Sequence, residues 1–414
     1  TATDEPPCLR QNTLSVPIEN LEPLQEYDPL VAGRGSSWHE ALCAFNLFQL
    51  RDAVNQSEVG VVPNEVELGL KLGEGGYGVV HLARHRVSGK LFAVKSFTKS
   101  KIRRLDERNT YMRLERERKT LKLLARELQP GSTAHGGSLA RLICSGQDKE
   151  WLRLVMPACL GGDLNILLDQ VGKLDDRAVQ FYAGCIILAL GQLHSLGIAY
   201  RDLKPENVLL YSNGNPVLTD FGLVAFLDDG PATSMVGTPE FMAPEIVAGT
   251  GHGTDADFWS FGVLLCELLT LTTPFVPRED ANNDQTIYAN IVQGKYVRHW
   301  EQREYRRLSS RAASVIDGLL QVDPAARLGG NRKGVESIRV HPFFWGLSWE
   351  ALENGELEPP HSAICEERGH SIRNDFHSAT CTPLPRQQKQ HGNGESPFDA
   401  AASAMDKMFD FSEW

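Results

Sequence analysis

Tyr200-Arg201-Asp202-Leu203-Lys204-Pro205-Glu206-Asn207 is followed, eighteen residues after Asp202, by Asp220-Phe221-Gly222. Core packing has no use for two acids, a lysine and an asparagine at these spacings. A site that holds Mg²⁺ and a triphosphate while positioning a hydroxyl for attack uses all four. Asp202 would accept or orient the proton of the attacking hydroxyl, and Lys204 would offset negative charge on the transferring group. Asn207 and Asp220 supply oxygen ligands of the kind a hard cation favours. Such a site works by positioning and by electrostatic stabilisation.

Further upstream, Gly73-Glu74-Gly75-Gly76-Tyr77-Gly78 has three readings. A dinucleotide-binding turn needs a helix to follow, whereas Val79-Val80-His81-Leu82 alternates like a strand. A plain hairpin is the second. The third is a phosphate loop, in which glycines between two strands bring backbone N–H groups close to phosphates because no Cβ intrudes. Lys95 favours the third. It ends the apolar run Leu91-Phe92-Ala93-Val94, where a charge is costly unless paired. Residues 106–128 read as a helix with Leu114, Leu121, Leu124 and Leu128 on one stripe. Glu117 shares that stripe and Glu115 does not, so helical phase selects Glu117 as the ion-pair partner that fixes Lys95 against phosphate oxygens.

The chain of 414 residues is 42% hydrophobic and 23% charged, as expected of a soluble globular protein of more than one compact domain. Its net charge of -11 argues against a nucleic-acid footprint and suits a partner carrying basic residues. Eight cysteines lack metal-ligand spacing. Cys185 and Cys266 sit in apolar helical patterns as small buried thiols, so the expected compartment is reducing and cytoplasmic. No transmembrane segment is expected, because the apolar run Cys185 to Leu190 is broken by Gly184 and Gly191.

Strand patterns begin at Glu65: Val66, Leu68 and Leu70 alternate, Ser88-Gly89 makes a turn, and two strand-like runs flank Gly146. Helical patterns dominate beyond about residue 162. One opens at Asp175 and Asp176, runs through Phe181, Cys185, Leu188 and Leu193, and closes at Gly197. Another covers Phe258 to Leu269. Strands early and helices late predict an α+β, two-lobed fold rather than repeating βαβ units.

These motifs carry a family resemblance. The order glycine-rich loop, Phe92-Ala93-Val94-Lys95, Tyr-Arg-Asp, Asp-Phe-Gly and Ala243-Pro244-Glu245 is similar to that of eukaryotic protein kinases. Within them the chain resembles the AGC group, and most closely the cyclic-GMP- and cyclic-AMP-dependent branch. Met156-Pro157-Ala158-Cys159-Leu160-Gly161-Gly162-Asp163, Gly237-Thr238-Pro239-Glu240-Phe241 and Ile287-Tyr288-Ala289-Asn290-Ile291-Val292 carry that likeness. It covers about 66 to 345 strongly and the tail loosely.

The resemblance implies a protein kinase fold, with a small, mainly β N-lobe at about 65–156 and a larger, mainly α C-lobe at about 161–345. ATP would bind between them on Gly73, Gly75, Gly78, Val80, Ala93, Lys95, Met156, Asp163 and Phe376. The γ-phosphoryl group would pass to Ser or Thr of a protein with basic residues upstream. Ser234 takes the activation-loop phosphorylation position, where the family more often has threonine, and Arg201 would bind its phosphate or salt-bridge an acid. Thr238 would contact Asp202 and substrate. Asp163, Glu206 and Glu267 match acidic positions that read upstream arginines, although Glu267 could instead pair with Arg327. Met235, Pro239 and Met242 would seat the residue after the phosphoacceptor.

Residues 1–64 read as an extension, partly disordered, with an amphipathic helix near 37–54 that carries Trp38, Leu42 and Phe45. It would pack on this protein or dock another. From 346 to 414 the expected AGC-type tail contains a polar stretch at Gln387 to Gly394. Ser396 or Ser403 would serve as its turn phosphosite, and Phe411-Ser412-Glu413-Trp414 would dock on the small lobe. With no cyclic-nucleotide-binding domain visible, control would come from a regulatory subunit, an upstream domain or phosphorylation. A threonine at Arg10-Gln11-Asn12-Thr13 could serve autophosphorylation. A pseudokinase scaffold and a small-molecule phosphotransferase are the competing classes. The intact catalytic positions argue against the first, and the segment Asp220 to Glu245 argues against the second.

Overall fold

A computed structural model describes residues 66–383 apart from 75–77, 105–106, 128–137, 149, 278–282, 297–307, 331–332 and 380. Gly75, the helix near 37–54, Leu128, Thr13, Ser396, Ser403 and the ending at Trp414 therefore lie outside the described residues.

The N-terminal lobe is built on β1 (Val66–Glu74), β2 (Val79–His85) and β3 (Leu91–Thr98). Helices α1 (Lys99–Arg104) and α2 (Glu107–Glu127) follow, then β4 (Cys144–Gln147) and β5 (Trp151–Pro157). Gly146 lies inside β4 rather than between two strands. β1 shifts register twice on β2, between Leu68 and Gly73, so the ladder loosens where the glycine loop begins. Val80 faces Lys95 across β2–β3, and Ala93 faces Met156 across β3–β5. That register gathers the expected nucleotide-lining residues on adjoining strands. Leu114, Leu121 and Leu124 of α2 are buried with Phe97, Leu152 and Leu154, as their stripe predicts.

In the C-terminal lobe, β6 (Gly162–Asp163) leads to α3 (Leu164–Val171) and α4 (Asp176–Ser195). Asp175 caps α4 by accepting from the Ala178 N–H at 2.8 Å. By length and apolarity α4 could cross a bilayer, yet thirteen of its residues are buried in the protein core. Short strands β7 (Ile198–Ala199), β8 (Val208–Leu210), β9 (Pro216–Leu218) and β10 (Ala225–Phe226) carry the catalytic segment. Then come α5 (Pro244–Ala248), α6 (Asp255–Thr270), α7 (Asp284–Val292), α8 (Ser310–Leu319) and α9 (Val335–Arg339). Trp259 of α6 stacks on Phe275 with ring centroids 5.1 Å apart, at the centre of this core.

The tail is more structured than its composition suggests. After α10 (Trp349–Glu353), seventeen residues form α11 (Ser362–Ser378), and β11 (Thr382–Pro383) pairs antiparallel with β1. The sheet order is thus β11-β1-β2-β3-β5-β4. His361 stacks on Tyr182 of α4, and Arg373 donates to Ser212 Oγ at 3.2 Å. Tail contacts therefore reach both lobes.

Phe376 of α11 is buried against Leu82 and Leu160. It leaves no room for a Cβ on Gly69 of β1, which would lie well inside contact distance of the ring. Gly69→Ala is therefore expected to cost about 1–3 kcal/mol. The cost would appear as a lower urea midpoint, partly restored by adding Phe376→Leu; an unchanged midpoint would mean the ring yields freely.

Candidate active site

Between the lobes lies a cleft of about 630 Å³. Gly73, Gly78, Val80, Ala93, Lys95, Glu117, Met156, Asp163, Asp202, Lys204, Glu206, Asn207, Asp220 and Thr238 all line it. Phe376 does not. It is committed to the seam with Gly69, and Ile372, one helical turn earlier on α11, lines the cleft in its place. Phe376 therefore stands behind the cleft wall, packed with Leu160 and Ala158 of the segment that joins the lobes.

Lys95 Nζ donates to Glu117 Oε1 at 2.7 Å and to Asp220 Oδ1 at 3.3 Å. Burial opposes its charge, but Glu117 and Asp220 outweigh burial and raise its pKa, so the ammonium persists. The same ammonium holds the Asp220 carboxyl below the usual range. Burial raises the Glu117 carboxyl against the pull of Lys95. Glu115 points elsewhere and accepts from Arg118 at 3.0 Å.

Asp202 sits in a closed set of hydrogen bonds. Thr238 Oγ1 donates to its Oδ1 at 2.8 Å, and Asn207 Nδ2 donates to its Oδ2 at 2.8 Å. Lys204 Nζ lies 3.3 Å from Oδ2 and donates to Thr238 Oγ1 at 2.9 Å. With Nδ2 of Asn207 committed to Asp202, the amide oxygen is the group left for a cation. A carboxylate on Asp220 and an amide oxygen on Asn207, lining one cleft, form a hard-oxygen donor set that fits a divalent metal.

Backbone strain is concentrated here. Among the described residues three non-glycines have positive φ, and two are Arg201 (70°) and Asp220 (60°). Asp257 holds the first in place: its buried carboxylate accepts from the Tyr200 N–H at 2.8 Å and the Arg201 N–H at 2.7 Å. His194 Nε2 lies 2.7 Å from the same carboxylate. Neither residue was expected at the site. An acid set directly before Phe258-Trp259, at the head of an apolar helix, was the signal available. Tyr200 is fully buried, donates through its hydroxyl to the Thr219 carbonyl, and meets Phe221 edge-on at 6.0 Å.

Arg201 spans to the activation segment. Its guanidinium donates to the carbonyls of Leu223 and Val224 and to Ser234 Oγ at 2.8 Å, and lies 3.3 Å from His252 Nε2. Burial, with Arg116 nearby, lowers its pKa to about 10. Ser234 and Arg201 are thus brought together.

Glu267 has no ion pair with Arg327, which instead clamps Glu245 at 2.7 and 2.9 Å. Glu267 stands near Glu206 and Glu240, and its Oε2 is buried without a partner. Burial chiefly, helped by those two acids, pushes its carboxyl up to about 8. Met242 is buried beside Gly237, while Met235 is exposed.

The sequence profile of the protein kinase domain matches residues 66–344. A cGMP-dependent protein kinase of Drosophila melanogaster (isozyme 2, forms cD5/T2) is 36% identical over 291 residues, 70% of this chain and 29% of its own length. The human ribosomal protein S6 kinase alpha-2 is 37% identical over 303 residues, 72% of this chain and 38% of that protein. The Arabidopsis thaliana kinase AtPK1/AtPK6 is 34% identical over 289 residues, 70% of this chain and 57% of that one.

Proposed function

The chain belongs to the protein kinase domain family, among the AGC-type serine/threonine kinases, and from that premise we propose that it phosphorylates Ser or Thr preceded by basic residues, using Mg²⁺-ATP. One observation carries the reading: Lys95–Glu117–Asp220 and Asp202–Lys204–Asn207–Thr238 are both assembled in one cleft. Each protein group then has a task. Lys95, fixed by Glu117, is set to hold nucleotide phosphates. Asn207 and Asp220 would hold the metal, which when bound screens phosphate charge. Asp202 aligns the substrate hydroxyl and takes its proton as the oxygen bonds to the γ-phosphorus and the bond to the leaving ADP oxygen breaks. Ser234, on Arg201, is the proposed activating phosphosite.

Asp163, Glu206 and Glu267 are the proposed readers of upstream arginines, with Glu240 alongside. Control by a regulatory subunit or an additional domain belongs to the same proposal. The pairwise identities to the cGMP-dependent and S6 kinases are nearly equal, so the cyclic-nucleotide-like branch rests on the motifs of residues 156–163, 237–241 and 287–292.

Transfer from ATP to a degenerate Ser/Thr peptide library tests this directly. Selection for upstream arginine is expected, with a distinctive pH response. A carboxyl raised by burial keeps its proton in the folded free protein until the pH nears 8. Folded stability therefore falls as pH rises from the ordinary carboxylate range through about 8, while affinity for a guanidinium rises. KM for an arginine-bearing peptide should fall between pH 6.5 and 8.5, by at most about tenfold per unit, and Glu267→Gln should flatten that trend. Equal trends in both proteins would remove Glu267 from the recognition site.

A further inference from the structure

Arg368 of α11 lines the same cleft as Asp163, Ile166 and Glu206. Its Nε is buried with no hydrogen-bond partner. It stands 3.1 Å from where a Cβ on Gly162 would lie, and Gly162 adopts a φ of +91°. The backbone there favours glycine, and a side chain would crowd the guanidinium. Asp163 spends one oxygen capping α3, accepting from the Ile166 N–H at 2.8 Å. Burial and neighbouring Glu206 raise its carboxyl, and the positive charge of Arg368 acts in the opposite sense. A tail cation thus stands beside one of the acids that would read a substrate arginine.

We propose that Arg368 is a specificity-determining residue: its guanidinium occupies the field of Asp163 and repels a substrate arginine there, leaving Glu206, Glu240 and Glu267 to read basic residues. The inference rests on the proposed role of Glu206 and Glu267 as readers and narrows that of Asp163, which Arg368 screens. Discrimination by a built-in like charge is as effective as an added attraction. A guanidinium also suits the position better than an ammonium, because it is weakly hydrated and tolerates partial burial. The nucleotide, whose expected contacts include Asp163, is the competing client and is separated by the experiment.

The experiment is positional-scanning phosphorylation with the full chain, comparing wild type, Arg368→Gln, Arg368→Lys and Arg373→Ala. Arg368→Gln is expected to gain about tenfold in selection for arginine at one upstream position, through KM, with kcat and the KM for ATP unchanged. Arg368→Lys should keep the wild-type profile. Arg373→Ala loosens the same helix from Ser212 without changing charge beside Asp163 and should give no such gain. Adding Asp163→Asn, which retains an acceptor for the cap, should abolish it. Unchanged selection in Arg368→Gln overturns the proposal, as does a gain shared by Arg373→Ala, or a raised KM for ATP with the peptide profile intact. Failure of the underlying reading looks different: no arginine is selected by wild type or by any variant, although transfer itself proceeds.

Discussion

Asp202→Asn should lower kcat for peptide phosphorylation by about two to four orders of magnitude while leaving the KM for ATP nearly unchanged. The carboxylate is the shared acceptor for Thr238 Oγ1 and Asn207 Nδ2, and lies 3.3 Å from Lys204 Nζ. An asparagine of the same shape presents an N–H₂ to one of these donors and cannot take a proton from the hydroxyl. Lys204 loses the opposite charge beside it, while its bond to Thr238 Oγ1 at 2.9 Å remains. Because Asn207 and Asp220 remain, nucleotide and metal should still bind. Single-turnover kinetics with a saturating peptide separates the two, and a variant retaining a tenth or more of wild-type transfer would exclude Asp202 as base.

The largest loss of stability is expected at Arg327. Its side chain is fully buried, forks onto both oxygens of Glu245 at 2.7 and 2.9 Å, and donates to the carbonyls of Gln321 and Asp255. It also lies over the Trp259 ring at 5.3 Å. Arg327→Met leaves a buried carboxylate uncompensated, at a cost of about 3–5 kcal/mol. Glu245→Gln with Arg327→Met should lose less than Arg327→Met alone, since no net charge is stranded. Urea unfolding followed by tryptophan fluorescence reads this, Trp259 being part of the cluster. A single-variant loss under about 1 kcal/mol would mean that water or rearrangement relieves Glu245.

Local chemistry was legible in the residue order, and long-range partnership much less so. Glu117 could be separated from Glu115 because one helix turns every 3.6 residues, and α2 obeys that phase. The gathering of Asp202, Lys204 and Asn207 followed from their spacing, since all three lie within six residues. Asp257 escaped because nothing local ties it to Tyr200 and Arg201, more than fifty residues away. Arg327, the alternative partner for Glu267, instead forks onto both oxygens of Glu245, which lies 82 residues away in sequence. Helix α11 was hidden for another reason. Among its buried residues Cys365, Gly369 and Phe376 share a face at spacings of four and seven, and a glycine in that row erases the apolar signal. Phe376 itself was assigned by resemblance to the cleft, whereas Gly69 offers it a deeper seat.

The pairing of β11 with β1 has a consequence for biosynthesis. Leu68 waits for Thr382, which leaves the ribosome roughly 310 residues later. At 5–20 residues per second, this interval is about 15–60 s. Throughout it the outer edge of the N-lobe sheet presents unpaired N–H and C=O groups to whatever strand arrives first. Until then the edge at Glu67 and Leu68 lacks the partner it has in the folded lobe, and a ribosome stalled before residue 382 would release a lobe with that part of the edge still open.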